Sequence, residues 1–423
     1  MARLLVTADD FTGALDTGVQ FTKLGLPTQV FIYDSMNWDA ISAGTRVLVV
    51  DTESRHLPAA QAYKRVFQVC TDAQKTGVEY FYKKTDSTLR GNLGPELKAL
   101  IDACSIQTLP FIPAYIEAGR TTKNGSQYVD GLPLHQTAFA RDPLNPITDA
   151  YIPSIIGRQI AASVEVIKTD ALQHLSKQMQ NMKGILVFDA LSQDDMTKIA
   201  FALAGTEGIS AAAGCAGFAP YIPQLFGLHG NEKPAVTQYI EQAKVGLRPP
   251  ILIVCGSVNE KSMMQIAYAE DGGIQSGLIT PSGLFNEFSP GRGKLVKSAA
   301  TSLANRGSYI IKTAAADQDI ISLKDLGGEG AYKQITAGLA SLVGSIMEKV
   351  NIGTLTVFGG DTAVGIVRYL GCSRILPRRE LMPGIPLSYV ESELFTGALV
   401  TKAGGFGDKS AVIDIIKYLE EGI

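Results

Sequence analysis

One local pattern recurs along this chain and restricts its fold more than any other feature. Short, largely apolar runs such as residues 3–7, 46–50 and 251–255 end in polar or glycine-rich turns that lead into helical segments. Such runs are typical of parallel strands buried on both faces, and parallel strands require helical crossovers. The pattern predicts an α/β protein with doubly wound, largely parallel sheets that bind ligands at the carboxyl ends of their strands.

The length of the chain predicts more than one domain. At 423 residues it exceeds what a single hydrophobic core usually serves. Residues 229–250 form the best linker, because this segment is polar and ends in a double proline. We therefore predict two doubly wound α/β domains, at residues 1–235 and 248–423, with the active site in the cleft between them. The small residues at 209–220 are expected to pack closely and to end the first domain.

The composition argues against nucleic acid and membranes as partners. A net charge of -3 leaves no global basic field, and no apolar run approaches the roughly 20 residues of a spanning helix. The N-terminus does not resemble a signal peptide, and the five cysteines are scattered without a Cys-x-x-Cys pair. We expect a cytoplasmic protein with free thiols and no His or Cys metal cluster.

Residues 79–97 place charged and hydroxyl side chains where a predicted strand hands over to a helix that begins at Pro95-Glu96. Lys83, Lys84 and Arg90 are suited to hold an anion, and Asp86 is suited to accept a proton from a hydroxyl. Ser87 adds a hydroxyl to the same group. The stretch predicts a site for an acidic, hydroxylated small molecule.

Asp9 and Asp10 follow the first predicted strand, and Arg55 follows the strand at 46–50. Helix capping is one explanation of the two acids, but it needs only one of them. The other is available for a substrate hydroxyl or a magnesium ion. The planar guanidinium of Arg55 suits bidentate carboxylate binding, so we place all three residues at the same edge of the sheet.

Asn124-Gly125 between two β-prone segments predicts a two-residue hairpin that projects from the sheet. A hairpin of this kind would either cover a substrate crevice or form a contact in a homodimer. The sequence leaves both open.

Three strand–turn–helix units in the second half predict a nucleotide site. Their glycines would let backbone amides approach a ligand, and helix N-termini add partial positive charge. Helix starts and caps without a ligand are the plain structural alternative. The candidate contacts are Ser257, Gly359, Gly360, Asp361, Thr362, Gly404, Gly405, Phe406 and Gly407.

Two rival functions are considered. Gly405-Phe406-Gly407 begins like a dinucleotide fingerprint, but Ser410 replaces its last glycine and too few residues follow for the next strand. A nicotinamide-dependent hydroxy-acid dehydrogenase is therefore disfavoured. A non-catalytic sugar-acid sensor is the second rival, and it would bind the acid without ATP.

Four motifs, in this order, resemble those of the four-carbon acid sugar kinases, and the resemblance spans nearly the whole chain. It implies a sugar-acid-binding domain followed by a nucleotide-binding domain, and ATP-dependent phosphorylation of the terminal hydroxyl of threonate, erythronate or an oxo-tetronate. The motifs are Ala8 to Ala14 with Asp16, Asp86 to Asn92, Gly359 to Ala363, and Lys402 to Gly407.

The resemblance also implies roles for the residues singled out above. Asp10, Arg55 and residues 83–87 would contact the acid, with Arg55 and one of the two lysines on its carboxylate. Asp86 is the leading candidate for the general base at the 4-hydroxyl. ATP would bind at Ser257 and the two glycine turns, and Asp361 is a candidate for positioning Mg²⁺ through water, the metal ligands being otherwise unknown.

The expected substrate is D-threonate, with erythronate and 3-oxo-tetronate as alternatives. The branch of the family that acts on 3-oxo-tetronate carries a Cys-Ser-Thr-Phe insertion before Asp-Ser-Thr and a lysine in place of Arg90. This chain has Lys-Lys-Thr-Asp-Ser-Thr-Leu-Arg instead.

Overall fold

The computed structural model describes residues 2–142, 145–175, 179, 181–230, 250–257, 259–305, 307–314, 328–372 and 374–421. The chain divides into two compact units, residues 1–237 and 238–423. Most of the predicted linker lies outside the described residues, so the predicted domain limits stay predictions. Each unit is described by itself below.

The first unit is built on a parallel sheet with the strand order β2-β3-β1-β4-β11-β5-β10-β9. A small antiparallel sheet, β6-β7-β8, accompanies it. The strands are β1 (Leu4–Ala8), β2 (Thr28–Ile32), β3 (Val47–Asp51), β4 (Tyr80–Lys84), β5 (Thr108–Ile112), β6 (Arg120–Lys123), β7 (Ser126–Val129), β8 (Leu132–Pro133), β9 (Val164–Ile167), β10 (Gly184–Phe188) and β11 (Ala211–Gly214).

Helices follow the strands of the first unit, and their ends reflect local sequence. Helix α5 begins with a capping box in which Ser192 and Asp195 satisfy each other's backbone amides. Helix α3 begins at Leu93, two residues before the predicted start, and accommodates Pro95 in its first turn, where a missing N–H is tolerated. The helices are α1 (Phe11–Lys23), α2 (Ala59–Lys75), α3 (Leu93–Cys104), α4 (Ile152–Gln159), α5 (Gln193–Ala204) and α6 (Ile222–Leu225).

The small-residue run at 209–220 contains a strand that was not predicted. Ala211–Gly214 forms β11, which lies between β4 and β5 in the sheet. Alanine has a low strand propensity, so the run gave no strand signal. Small side chains are required there, because a Cβ atom on Gly214 would lie 2.4 Å from the Ile112 carbonyl oxygen and 2.6 Å from the Tyr82 hydroxyl.

The second unit has the strand order β13-β14-β12-β15-β18-β17-β16. Pairing is parallel from β13 to β18 and antiparallel from β18 to β16. The strands are β12 (Ile251–Cys255), β13 (Gln275–Leu278), β14 (Ser308–Lys312), β15 (Thr354–Phe358), β16 (Arg374–Met382), β17 (Ile385–Glu391) and β18 (Thr396–Lys402).

The helices of the second unit pack in two groups. Helix α7 contacts α12, whereas α8, α9 and α11 contact α10. They are α7 (Glu260–Asp271), α8 (Pro281–Phe285), α9 (Pro290–Ala304), α10 (Gly328–Met347), α11 (Gly360–Tyr369) and α12 (Ala411–Glu421).

The structure confirms the predicted α/β fold with largely parallel sheets. The antiparallel hairpin of β16 and β17 was not predicted. Over the part of the chain that the structure describes, no helix is both long and apolar enough to span a bilayer.

Candidate functional site

The first unit gathers charged residues at one edge of its sheet. The strands β1, β3 and β4 are neighbours, and their registers place Ala8 beside both Asp51 and Lys84. The segments that follow these strands therefore start from the same edge. The loop after β3 is tied to the first segment, since the amides of Ser54 and Arg55 donate to the Asp9 carbonyl at 3.1 and 3.3 Å.

Arg55 lies at the centre of three carboxylates, those of Asp9, Asp10 and Asp86. Its Nε is 2.8 Å from Asp9 Oδ2, and its Nη2 is 2.8 Å from Asp10 Oδ1 and 3.6 Å from Asp86 Oδ1. Burial opposes the charge, but the three acids outweigh it and raise the pKa of Arg55 above its ordinary value. Arg55 is thus a fixed positive charge that holds three separate loops together.

Asp10 combines capping with a place in this cluster. Its Oδ1 accepts the Gly13 amide at 3.1 Å, and its Oδ2 accepts the Thr12 hydroxyl at 2.7 Å. Lys84 Nζ lies 3.2 Å from the same Oδ1 and 3.5 Å from Asp9. Burial raises the pKa of Asp10, but Arg55 and Lys84 more than offset this and leave it below its ordinary value. Capping and site formation are not alternatives here.

Asp86 is held by its own turn. It accepts Arg90 Nε at 2.8 Å, Arg90 Nη2 at 3.0 Å and the Thr88 hydroxyl. Burial raises its pKa, but Arg90 and Arg55 outweigh burial, so the pKa lies well below its ordinary value. The carboxylate is therefore ionised at neutral pH.

Arg90 is a partner of acids in this structure. Besides the two contacts to Asp86, its Nη1 donates to Asp142 Oδ2 at 3.0 Å. The fork of the guanidinium thus bridges two carboxylates. Direct contact between Arg90 and a substrate stays a prediction.

The two adjacent lysines, one of which was predicted to bind the substrate carboxylate, have different surroundings. Lys83 is fully buried, ion-paired with Glu96 at 2.8 Å, and donates to the Thr7 carbonyl at 3.1 Å. Successive side chains of a strand point to opposite faces. Of the two, only Lys84 reaches Asp10 within ion-pair distance.

The contacts of two amide side chains, the half-buried Asn92 and the fully buried Gln127, were not predicted from the sequence. Asn92 Nδ2 donates to the carbonyls of Ser54 at 2.9 Å and Leu57 at 2.7 Å, which pins the loop that bears Arg55. Gln127 Nε2 donates to the Ser87 carbonyl at 3.0 Å. Asn92 lies within the 86–92 motif, which was a usable signal, whereas the role of Gln127 depends on tertiary contacts.

The predicted hairpin at Asn124-Gly125 is present. Both of its turn amides donate to the carboxylate of Asp189, at 2.7 and 2.8 Å. Through Gln127 the hairpin supports the turn of Asp86 and Ser87, a function that neither predicted alternative included.

The glycine turns of the second unit follow three adjacent strands. The registers of β12, β15 and β18 place Cys255, Phe358 and Lys402 side by side. Gly359, which has φ +109°, donates its amide to the Lys402 carbonyl at 3.0 Å. A Cβ atom on Gly256 would lie 2.1 Å from Thr362 Oγ1, so the turns at 256–257 and 359–362 are in close contact.

The third turn, residues 403–408, packs against these two and against α7. A Cβ atom on Gly404 would lie 3.3 Å from Ser257 Oγ, and Gln265 Nε2 donates to the carbonyls of Phe406 at 3.1 Å and Asp408 at 2.9 Å. The structure therefore brings all the predicted nucleotide contacts into one region of the second unit. Their contact with a nucleotide stays a prediction.

The charged cluster of the first unit is suited to bind a polar small molecule, and the converging glycine turns of the second are suited to bind phosphate groups at helix N-termini. A family model described as "Sugar-binding N-terminal domain" matches residues 4–222, and a second, described as "Nucleotide-binding C-terminal domain", matches residues 252–412. A D-threonate kinase from Salmonella typhimurium is 32% identical over 99% of both chains. A D-erythronate kinase from Heliobacterium modesticaldum is 27% identical, over 99% of this chain and 97% of the relative.

A crystal structure of a protein from Salmonella typhimurium LT2 is similar in fold, with a TM-score of 0.79 and 23% identity over 98% of this chain and 99% of that one. At this identity the likeness supports the fold alone. The chain belongs to the four-carbon acid sugar kinase family. This confirms the resemblance drawn from the four motifs, and with it the prediction of a kinase.

Proposed function

We propose that this protein transfers the γ-phosphoryl group of ATP to the 4-hydroxyl of a four-carbon sugar acid, and that the acid is D-threonate. The observation that carries the proposal is the Arg55 cluster, in which one guanidinium contacts Asp9, Asp10 and Asp86. A small acid with several hydroxyls offers the donors and the charge that such a mixed cluster binds. The D-threonate kinase at 32% identity supports the choice of acid.

In the proposed complex the substrate carboxylate binds the cationic side of the cluster, at Arg55 and Lys84. Substrate hydroxyls donate to Asp10, whose side chain is 20% exposed, and to Asp86. Both acids are ionised, so they accept hydrogen bonds and cannot donate them. This polarity favours a polyhydroxy acid over an acid without hydroxyls.

Asp86 is proposed as the proton acceptor from the 4-hydroxyl even though its pKa is lowered. Phosphoryl transfer passes through a loose transition state with little bond formation to the nucleophile, so the proton leaves late and a weak base suffices. Positioning of the hydroxyl is then the larger part of the role. Direct transfer requires this hydroxyl and the γ-phosphate to meet in line.

ATP is proposed to bind at Ser257, the turn at 359–362 and the turn at 404–407, with Mg²⁺ as the metal cofactor. The exposed carboxylate of Asp361, in the first turn of α11, fits a metal that uses one or two carboxylates together with phosphate oxygens. Within the described ranges no group of three or more His, Cys, Asp or Glu forms a separate metal cage. When bound, Mg²⁺ would neutralise the negative charge of the phosphate groups.

The test is an ADP-coupled screen of D- and L-threonate, D- and L-erythronate and the 3-oxo-tetronates, with NAD reduction measured in parallel. We expect ADP formation with D-threonate at the highest kcat/KM. A higher kcat/KM with another acid of the set would correct the substrate. NADH formation without ADP would overturn the kinase proposal, and acid binding in calorimetry without ATP turnover would favour a sensor.

Gly13→Ala is expected to raise the KM for the acid about tenfold or more and to lower the free energy of unfolding by about 1–3 kcal/mol, as overpacking does. The added Cβ atom would lie 1.9 Å from Lys84 Nζ and 2.4 Å from Asp10 Oδ1. It would displace the lysine from the cluster. Steady-state kinetics and urea unfolding measure the two effects.

Gly157→Ala is the matched control, because a Cβ atom at this position of α4 has no neighbour within 4 Å. It is expected to leave both KM values unchanged and to add up to about 1 kcal/mol of stability. Equal kinetic effects of the two substitutions would contradict the assignment of Lys84.

Gly256→Ala is expected to raise the KM for ATP about tenfold, because its Cβ atom would lie 2.1 Å from Thr362 Oγ1 and would separate the two turns. The KM for the acid should stay within about twofold. Gly293→Ala is the control within α9, where a Cβ atom has no neighbour within 4 Å. Unchanged ATP kinetics in Gly256→Ala would remove this turn from the ATP site.

The proposed reaction consumes ATP, so we also place the protein in the cytoplasm. The homodimer remains a prediction. The location of the active site in the cleft between the domains also remains a prediction.

A further inference from the structure

Lys402 is the last residue of β18 and is fully buried. Its ammonium donates to the carbonyls of Ala403 at 3.1 Å, Gly404 at 3.4 Å and Phe406 at 3.2 Å, and to the Ser262 hydroxyl at 3.3 Å. Its Nζ also lies 4.7 Å from the centroid of the Phe358 ring. Neutral oxygens thus surround the ammonium, as they would surround a bound metal cation.

Among the described residues no carboxylate pairs with Lys402. Burying a cation without such a partner costs free energy, and an apolar side chain of the same length would fill the space at lower cost. The groups facing Lys402 include the Cys255 thiol of β12 and the Lys261 ammonium of α7. Burial lowers the pKa of Lys402 to about 8. Packing alone therefore does not account for a lysine here.

The carbonyl oxygens of the turn are held on one side. The Gly404 carbonyl accepts the Ser262 hydroxyl at 3.4 Å in addition to Lys402, and the Gly405 carbonyl accepts Lys261 Nζ at 3.3 Å. In a trans peptide the N–H points opposite to the preceding C=O. Lys402 contacts the carbonyls of residues 403, 404 and 406, so the amides of residues 404, 405 and 407 point away from it. The amide of Phe406 instead donates to the Ala403 carbonyl at 3.2 Å within the turn.

We propose that Lys402 is a positioning residue for phosphate binding, an internal cation that holds the carbonyls of the turn inward so that its amides are presented to the triphosphate. This rests on the proposed use of the turn for ATP. Lys402 itself does not touch the nucleotide, so its contribution is to ATP affinity through the turn.

The test measures ATP and acid kinetics of Lys402→Ala and Lys402→Met in the full-length protein. Both are expected to raise the KM for ATP tenfold or more, while the KM for the acid changes less than twofold. Lys409→Met, at an exposed lysine seven residues beyond the end of β18, controls for loss of charge near the turn and should keep wild-type kinetics. Wild-type ATP kinetics in folded Lys402→Met overturn the inference.

Chemical rescue distinguishes a missing ammonium from a damaged fold. n-Propylammonium has the atoms that Lys402→Ala lacks, so millimolar concentrations should lower the KM for ATP of this variant at least threefold. Lys402→Met fills the same space and should not respond. Equal responses of the two variants, or none in either, overturn the inference.

A pH profile gives a second readout. The wild-type KM for ATP should rise above about pH 8 as Lys402 loses a proton and one donor. Lys402→Arg stays charged, so this rise should be absent. An identical rise in both proteins overturns the inference.

A variant that fails to fold and a wild-type protein without ATP turnover can each be distinguished from failure of the inference. If Lys402→Ala does not fold by circular dichroism, Gln265→Leu tests the same turn, because it removes the donor to Phe406 and Asp408. A threefold or larger rise in its KM for ATP supports the inference, and an unchanged KM overturns it. Absence of ATP turnover in the wild type is a failure of the proposed function and is seen before any variant is made.

Discussion

Replacing Asp86 with asparagine is expected to reduce kcat by about 10²- to 10⁴-fold, the range associated with loss of a general base. The amide keeps the shape of the side chain but neither accepts a proton nor balances the charges of Arg90 and Arg55, which lie 2.8 and 3.6 Å from the carboxylate. The KM for ATP should change little, because the nucleotide turns belong to the other unit. Steady-state kinetics with both substrates saturating give the comparison.

Asp194→Asn is the control for the same chemical change at an exposed position, where the acid pairs with Lys198 on the surface. It should retain wild-type kcat. A folded Asp86→Asn protein with near-normal kcat would remove Asp86 from the role of base and leave it a structural partner of Arg90.

The lowered pKa of Asp86 also determines its effect on pH dependence. A carboxyl group whose folded pKa is depressed contributes stability above the ordinary aspartate value of about 3.9, and this contribution is lost as pH falls through the folded value. The pKa of Asp10 is depressed in the same direction. We therefore expect that titration of these two groups changes neither the free energy of unfolding nor kcat between about pH 5 and 8.

The sequence was sufficient to place the main groups because the relevant information is local. A buried strand is recognisable from its apolar run, and parallel strands end at a common edge, so Asp9, Asp10, Arg55 and Asp86 could be assigned to one place. The glycine turns could be assigned for the same reason. Strand positions and the turns that follow them could be predicted because they do not depend on side-chain orientation.

Side-chain orientation was not available from the sequence. Lys83 and Lys84 are the last two residues of β4, which is buried on both faces, so no polar face of the strand indicates which lysine reaches the cluster. The choice is made by Glu96, which lies on α3 and pairs with Lys83 in the interior. Similarly, only the folded chain shows that Arg90 is engaged by Asp86 and Asp142.

Supporting residues were missed for a related reason. Gln127 and Lys402 donate to backbone carbonyls. Every residue has a carbonyl, so a sequence motif does not show which one receives the hydrogen bond. Strand β11 was missed because its alanines are selected by close packing against neighbouring strands and not by strand propensity. Tertiary contacts decided each of these cases.

Arg55→Met is expected to have the largest effect on the first unit: acid-dependent turnover should fall by about 10³-fold or more, and the free energy of unfolding by about 3–5 kcal/mol, as when one partner of a buried ion pair is removed. The side chain is 10% exposed and neutralises Asp9 and Asp10 at 2.8 Å each. Without it, the two acids and Asp86 would repel one another, and substrate would lose its main cation.

Arg158→Met provides the matched control in the same unit. Arg158 pairs with Asp149 at 2.6 Å, but its side chain is 57% exposed, so the substitution should cost no more than about 1 kcal/mol and leave turnover unchanged. Arg55→Lys retains the charge but loses the fork that reaches two acids at once, so it should keep most of the stability and little of the turnover.

Calorimetry with ATP then separates the two units. The turns at 359–362 and 404–407 contain none of the residues of the Arg55 cluster, so a folded Arg55 variant should bind ATP with wild-type affinity while failing to bind the acid. Equal losses of ATP and acid affinity would mean that the cluster is a general requirement of the fold. Unfolding within about 1 kcal/mol of wild type in Arg55→Met would show that the three loops are held by other contacts, chiefly those of Asn92.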